Sequence, residues 1–186
     1  MAKRNNHYEA AFEAWLRRLR VPYVAVDETH RSLAGAGSLK SVDFIVSPPG
    51  QATTVADSAA PAHWLVDVKG RRFPTGASYW KNWSTADELA SLASWETLFG
   101  ARFAALLVFA YNVIGSRAPL PADELFVFRG SLYGFVAIRL DHYTSCAQPL
   151  SPRWGTVCMP VAHFRALARP AREVLGAPRR VGMGAA

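Results

Sequence analysis

The sequence feature that most constrains the fold is a nearly continuous apolar run, ARFAALLVFAYN, at residues 101–112. A strand with apolar side chains on both faces must be covered on both sides, so the run predicts a central strand of a sheet. The run is far shorter than the roughly 20 apolar residues that a membrane-spanning helix needs. Because it contains the longest apolar run in the chain, we expect no membrane partner.

Two helices are predicted to pack on this sheet. Residues 7–20 have an apolar stripe at helical spacing, and Pro22 ends that helix. The second helix begins at Thr85, which has capping-box spacing to Glu88, and it ends at Gly100. Apolar residues at helical spacing fill the interval between these two ends.

The remaining elements surround the second helix and the central strand. The predicted strands are 22–29, 41–47, 63–70 and 101–112, followed by the pair LFVFRG and SLYGFVAIRL and by a short helix in MPVAHFRALAR. Helices before and after one sheet predict an α/β fold with a mixed sheet. We expect one domain over residues 1–175 and a disordered tail at 176–186.

The net charge gives a prediction about the partner. The formal charge is +7 and the isoelectric point is about 9.8, which favours an anionic partner such as nucleic acid. A solvated basic surface is the alternative, because part of the excess lies near the C-terminus, in Arg165, Arg169, Arg172, Arg179 and Arg180.

The start of the chain and its cysteines bear on location. The segment MAKRNNHYEA is charged and lacks the apolar region of a signal peptide. Two cysteines do not make a disulfide framework in a chain of 186 residues. The expectation is therefore a cytoplasmic protein with reduced thiols.

The predicted strand HWLVDVKG, residues 63–70, carries two charges where buried strands rarely have any. Side chains alternate along a strand, so Asp67 and Lys69 share one face. If the strand 41–47 pairs with it, Asp43 can lie about 5 Å across the ladder. Two carboxylates and the Val68 backbone carbonyl are hard oxygen ligands that suit Mg²⁺. Lys69, whose pKa a nearby cation or partial burial would lower, could orient or deprotonate a water.

The first predicted helix offers a third carboxylate. Glu9 lies roughly 75° from the centre of the apolar stripe, whereas Glu13 lies roughly 115° from it. Glu9 is therefore at the edge of the buried face, while Glu13 points further toward solvent. We expect Glu9 to bind the metal directly or through water.

A basic and aromatic segment follows the charged strand. Cations that neutralise phosphates, beside aromatic rings that stack on bases, suit nucleic acid. The alternative is a solvated loop whose tryptophans cover the sheet. The cations are Arg71, Arg72 and Lys81, and the aromatic residues are Tyr79, Trp80 and Trp83.

Over about residues 7–112, the element order and the acids together resemble the PD-(D/E)XK nuclease superfamily. The resemblance implies a restriction-endonuclease-like αβββαβ core, here with an added C-terminal β-hairpin and helix. It implies that Asp43 and the Asp67-Val68-Lys69 triplet bind Mg²⁺, with Mn²⁺ as an alternative, and that Lys69 assists the attacking water. Asp43 follows Val42 where the family pattern has proline. The segment HYEAAFE also resembles the signature of the bacterial HYExAFE family, which implies no function.

Three interpretations follow. The first is a Mg²⁺-dependent endonuclease that hydrolyses DNA phosphodiester bonds. The second is a catalytically inactive nuclease-fold module that binds DNA or another protein. The third is a purely structural ion pair between Asp67 and Lys69. The expected partner is DNA, and the sequence leaves open RNA as a substrate and a homodimer as the assembly.

Overall fold

The computed structural model describes residues 6–26, 32–34, 37–48, 61–74 and 79–176. The predicted tail at 176–186 lies outside these residues, apart from Gly176. Within the described part of the chain, none of the helices is long and apolar enough to cross a membrane.

The helices and strands alternate along the chain. The helices are α1 (His7–Leu19), α2 (Ala86–Phe99), α3 (Leu140–Cys146), α4 (Val161–Leu167) and α5 (Ala171–Val174), with 3₁₀ turns at Ala122–Glu124 and Pro152–Trp154. The strands are β1 (Tyr23–Ala25), β2 (Ser32–Ala34), β3 (Gly37–Leu39), β4 (Phe44–Val46), β5 (His63–Phe73), β6 (Ser84–Thr85), β7 (Phe103–Val113), β8 (Phe126–Phe128), β9 (Ser131–Arg139), β10 (Gln148–Ser151), β11 (Thr156–Cys158) and β12 (Arg169–Pro170).

The main sheet has the order β1-β4-β5-β7-β9-β12, and β8 pairs with β9 at its margin. Strands β5 and β7 are parallel, while the other neighbours are antiparallel. Helix α2 makes the crossover that a parallel pair needs. A small sheet, β10-β11-β6, and the hairpin β2-β3 lie outside the main sheet.

The predicted fold class is confirmed. Helix α1, strands β1, β4 and β5, helix α2 and strand β7 follow one another in the order αβββαβ, with the β2-β3 hairpin inserted and further strands and helices added after β7. The predicted apolar run forms the central strand β7, which is buried from Ala104 to Tyr111. Strand β5 continues to Phe73, beyond the predicted end at residue 70, because β7 pairs with it as far as Val113.

Local sequence signals determine where the two long helices begin. The Asn6 side chain caps α1 by accepting a hydrogen bond from the Tyr8 backbone N–H at 3.1 Å. The predicted capping box of α2 is present, with Thr85 and Glu88 each accepting from the other's backbone N–H.

The two helices bury opposite faces of β5. Phe12, Trp15 and Leu16 of α1 pack on one face with Val66 and Val68, in a core rich in aromatic rings. Helix α1 also approaches so closely that Tyr8 leaves no room for a Cβ at residue 70, which explains Gly70. The other face packs against α2, α3 and α4 and carries Leu65, Asp67, Lys69 and Arg71. Leu89, Leu92, Tyr143 and Phe164 are its buried partners from the helices.

Candidate active site

Asp67 and Lys69 form an ion pair on the α2 face of β5. The Lys69 Nζ atom lies 2.7 Å from Asp67 Oδ2, and both side chains are largely buried. A second carboxylate, Glu88 Oε2 of α2, lies 3.1 Å from the same nitrogen. One buried ammonium is therefore shared between two carboxylates from different elements.

Glu88 is a residue that the sequence analysis identified only as a helix cap. Its Oε2 atom accepts from the Thr85 backbone N–H at 3.0 Å and from Ser84 Oγ at 2.9 Å, while Oε1 lies 3.4 Å from Lys40 Nζ. The capping box fixes Glu88 at the first turn of α2, and the crossover brings that turn over Lys69. The spacing of Lys69 and Glu88 in the sequence does not predict their contact, because the contact depends on where the crossover places the first turn of α2.

The charges of this cluster stabilise one another. Burial favours the neutral form of Lys69, but Asp67 and Glu88 outweigh it and raise the pKa of the ammonium above its ordinary value. Burial also acts against the charge of Glu88, but Lys69 and the Thr85 N–H lower its pKa to about 2. The expected lowering of the Lys69 pKa is therefore wrong for the protein without metal, because the two carboxylates that contact the ammonium together outweigh burial.

Asp43 lies at a bend just before β4 and is buried. Its Oδ2 atom accepts a hydrogen bond of 2.6 Å from the Val68 backbone N–H. Because that nitrogen is joined to Asp67 through one carbonyl carbon, the Asp43 oxygen lies within about 5 Å of the Asp67 Cα. The β4–β5 register, in which Phe44 faces Val66, brings the two aspartates together as the sequence predicted.

The Val68 carbonyl points toward the same edge of β5. The N–H and C=O of one residue in a strand point to the same side, and the Val68 N–H points to Asp43. Strand β4 pairs with β5 only from Trp64 to Val66, so Val68 lies just past the end of that pairing. The edge of β5 at this position therefore presents backbone groups beside the Asp43 carboxylate.

The oxygen atoms at this edge suit a hard divalent cation. Asp43, Asp67 and the Val68 carbonyl are the donor types that Mg²⁺ prefers, with water completing its octahedron. Across the residues that the structure describes, no group of three His, Cys, Asp or Glu side chains is arranged to hold a metal ion. The candidate donor set is therefore two carboxylates and one backbone carbonyl.

Glu9 lies in the first turn of α1, which packs on the face of β5 opposite Lys69 and Glu88. Its Oε1 atom accepts a hydrogen bond of 2.5 Å from the Asn6 side chain. Its role as a metal ligand stays a prediction.

The three predicted nucleic-acid-binding cations do not share one face of the sheet. Arg71 lies on the α2 face, where its guanidinium stacks over the Trp83 ring at 3.9 Å from the centroid and donates to the Trp83 and Gly70 carbonyls. Burial lowers the pKa of Arg71 from its ordinary value. Arg72 is exposed on the opposite face, because neighbouring residues alternate along β5. Lys81 lies on the α2 side, where its carbonyl accepts from Tyr111.

Comparisons with known proteins find similar chains among the solved structures. No protein-family model matches the chain, and no curated protein matches it. Among solved structures, the chain is similar to Hjc, a Holliday junction resolvase from the archaeal hyperthermophile Archaeoglobus fulgidus. The TM-score is 0.49 and the sequence identity 15%, and the match covers 91% of this chain and 98% of that chain. The geometry of the site, not this match, carries the functional proposal.

Proposed function

We propose that this protein is a divalent-metal-dependent endonuclease that hydrolyses DNA phosphodiester bonds. The observation that carries the proposal is the cluster at the edge of β5. The Asp43 carboxylate is hydrogen-bonded to the Val68 N–H, directly beside the Asp67–Lys69 pair. Burying two carboxylates and a lysine here costs desolvation energy that apolar residues would avoid, which favours a chemical role for them.

Asp43, Asp67 and the Val68 carbonyl would hold Mg²⁺ or Mn²⁺, with Glu9 acting directly or through water. The bound ion would polarise a phosphodiester oxygen and lower the pKa of a water ligand. In the protein without metal, Asp67 and Glu88 raise the pKa of Lys69, which favours its charged ammonium form at neutral pH. We therefore assign it the orientation of the attacking water and the stabilisation of phosphate charge, not proton abstraction. Glu88 would hold the ammonium in place.

A second candidate function is a catalytically inactive module with a nuclease-like fold that binds DNA or a protein. The observation that favours it is the direct pairing of Lys69 with both Asp67 and Glu88, which balances its charge with protein groups alone. In this case the cluster is structural, and metal would have no effect on the protein. A cytoplasmic location and a homodimer stay predictions under both functions.

The deciding experiment is a cleavage assay on supercoiled plasmid and on four-way-junction DNA, with Mg²⁺, with Mn²⁺ and with EDTA. We expect metal-dependent nicking by the wild type, none with EDTA, and none by Asp67→Asn or Lys69→Ala. Lys69→Ala should still bind DNA, because it removes a group that acts on the attacking water.

The matched control is Lys40→Ala. Lys40 also contacts Glu88, but its side chain is 56% exposed, so its loss should leave cleavage unchanged. Wild-type protein that binds DNA without any metal-dependent cleavage would reject the enzyme and favour the inactive module.

A further inference from the structure

An open groove of about 690 Å³ lies on the α2 side of the sheet. One wall is the segment 79–83, which precedes β6. The other wall comes from the C-terminal part of the chain, and its residues are Leu150, Cys158, Met159 and Val161. Asn82 joins the two walls, because its side chain donates to the Met159 carbonyl and accepts from the Met159 N–H. The groove is therefore a fixed part of the fold.

The groove adjoins the candidate active site. Arg71 of β5 contacts the ring and the carbonyl of Trp83, a residue of the groove wall. The next residue, Ser84, donates to Glu88, which binds Lys69. The groove wall is thus connected to the Lys69 ammonium through Ser84 and Glu88.

Both walls are free of acidic residues in sequence. Between Lys69 and Ala86 the chain has three basic residues and no Asp or Glu, and between His142 and Arg172 it has three arginines and again no Asp or Glu. A polyanion is therefore the occupant whose charge complements the groove. A second copy of this chain would bring further positive charge to it.

The interior of the groove is apolar and aromatic. Trp83, Leu150 and Val161 are among its exposed apolar residues, and Tyr79 and Trp80 supply further rings. Guanidinium groups lie over three of the rings: Arg71 over Trp83, Arg165 over Trp80 and Arg117 over Tyr79. Aromatic rings beside cations are the arrangement that stacks bases while neutralising the backbone of a single strand. A duplex keeps its base faces stacked inside and offers none to such a groove.

We propose that this groove binds an unstacked base of single-stranded DNA, with Trp83 as the stacking platform. This inference rests on the proposed function. If the protein is a nuclease, its substrate is a DNA with a single-stranded part, such as a flap, a fork or an open junction. The groove would hold the single strand while the β5 edge meets the adjoining phosphodiester.

The test measures binding in EDTA, so that no cleavage is required. Fluorescence anisotropy with a labelled oligothymidylate and with a blunt duplex of equal length gives two affinities for each variant. We expect Trp83→Ala to weaken single-strand binding by about 5- to 140-fold, the range for losing one base–aromatic stack. Trp83→Phe should restore most of the affinity, since phenylalanine also stacks.

The matched control is Trp154→Ala. Trp154 is 69% exposed and has its own arginine, Arg153, over the ring, but it is not one of the described residues that line the groove. Its loss should change single-strand affinity by less than about 2-fold, because it removes no stack in the groove. Thermal melting verifies that all variants are folded.

The possible results test the groove and the proposed enzyme separately. Equal losses for Trp83→Ala and Trp154→Ala, equal losses on single strand and duplex, or no single-strand binding by the wild type would overturn the inference. Cleavage of duplex DNA with no contribution from Trp83 would leave the proposed enzyme standing without this groove. A Trp83-dependent preference for single strands in a protein that never cleaves would support the groove and reject the enzyme.

Discussion

The two faces of strand β5 are made by alternating residues of one segment, and they differ in almost every physical respect. On the α1 face, Val66 and Val68 pack against aromatic side chains, and Gly70 lets Tyr8 approach the backbone. On the α2 face, Asp67 and Lys69 are buried in an ion cluster that Glu88 completes.

This difference distinguishes the residues that stabilise the fold from the polar residues that form the candidate site. Apolar burial on the α1 face is favourable without any partner groups of particular charge. The cluster on the α2 face must recover a large desolvation cost through close contacts, and apolar residues of similar size are often at least as stabilising. Both faces have an apolar core, but on the α2 face apolar burial has been exchanged for polar groups at Asp67 and Lys69.

The largest expected effect is on the α1 face. Phe12 is fully buried and packs on the rings of Trp15, Phe44 and Phe135. Phe12→Ala should lower the free energy of unfolding by about 3 to 5 kcal/mol, because it removes a large ring and leaves a cavity. Urea denaturation measures the loss, and it should be the same with and without Mg²⁺. A loss that Mg²⁺ reduces would mean that the two faces are not independent.

A smaller effect is expected from removing the shared ammonium. Lys69→Ala leaves Asp67 and Glu88 without their common cation and should cost about 3 kcal/mol in the absence of metal. If the oxygens at the edge of β5 bind Mg²⁺, added Mg²⁺ should restore part of this stability, which thermal melting with and without the ion detects.

The control for Lys69→Ala is the second buried ion pair. Arg172 Nε lies 3.1 Å from Glu124 Oε2, and both side chains are as buried as those of the cluster. Arg172→Ala should also lower the melting temperature, but Mg²⁺ should not restore it. An equal response of both variants to Mg²⁺ would show a general salt effect and remove the argument for a metal site.

The smallest effect concerns Glu88 and depends on pH. The pKa of Glu88 falls from its ordinary 4.5 to about 2 in the folded protein, so its charge stabilises the fold above pH 4.5 and loses that contribution as the pH falls toward 2. Glu88→Gln keeps the capping box but removes this charge. At neutral pH it should cost about 1 to 2 kcal/mol, after allowance for screening by water.

Denaturation of both proteins at a series of pH values measures this difference. The stabilities of wild type and Glu88→Gln should converge as the pH approaches 2. A constant difference across that range would show that Glu88 acts only as a cap, without a contribution from its contact with Lys69.

The sequence predicted those parts of the molecule that depend on local pattern. The apolar run became the central strand β7, Thr85 and Glu88 became the capping box, and the αβββαβ order is present in the structure. The neighbouring positions of Asp43 and Asp67 also followed, because strand pairing and alternation are short-range rules.

The parts that the sequence did not reveal depend on contacts between distant elements. Nothing in the pattern around residue 88 indicates that its carboxylate contacts Lys69 as well as the backbone of its own helix. The stacking of Arg71 on Trp83 is of the same kind, since it depends on where the segment after β5 returns. The expected direction of the Lys69 pKa shift was wrong, because Asp67 and Glu88 together outweigh the effect of burial and the contact with Glu88 is one between distant elements.

The double role of Glu88 has a consequence for the motions of the protein. The carboxylate that stops the first turn of α2 from fraying is the one that holds the Lys69 ammonium. A phosphate that draws the lysine away from Glu88, or a metal ion that takes Asp67 from the lysine, also changes the hydrogen bond that Glu88 accepts from the Thr85 amide. Opening of the first turn of α2 and movement of Lys69 are thus linked. The hydrogen-exchange rate of the Thr85 amide therefore reports whether Glu88 is bound to the Lys69 ammonium.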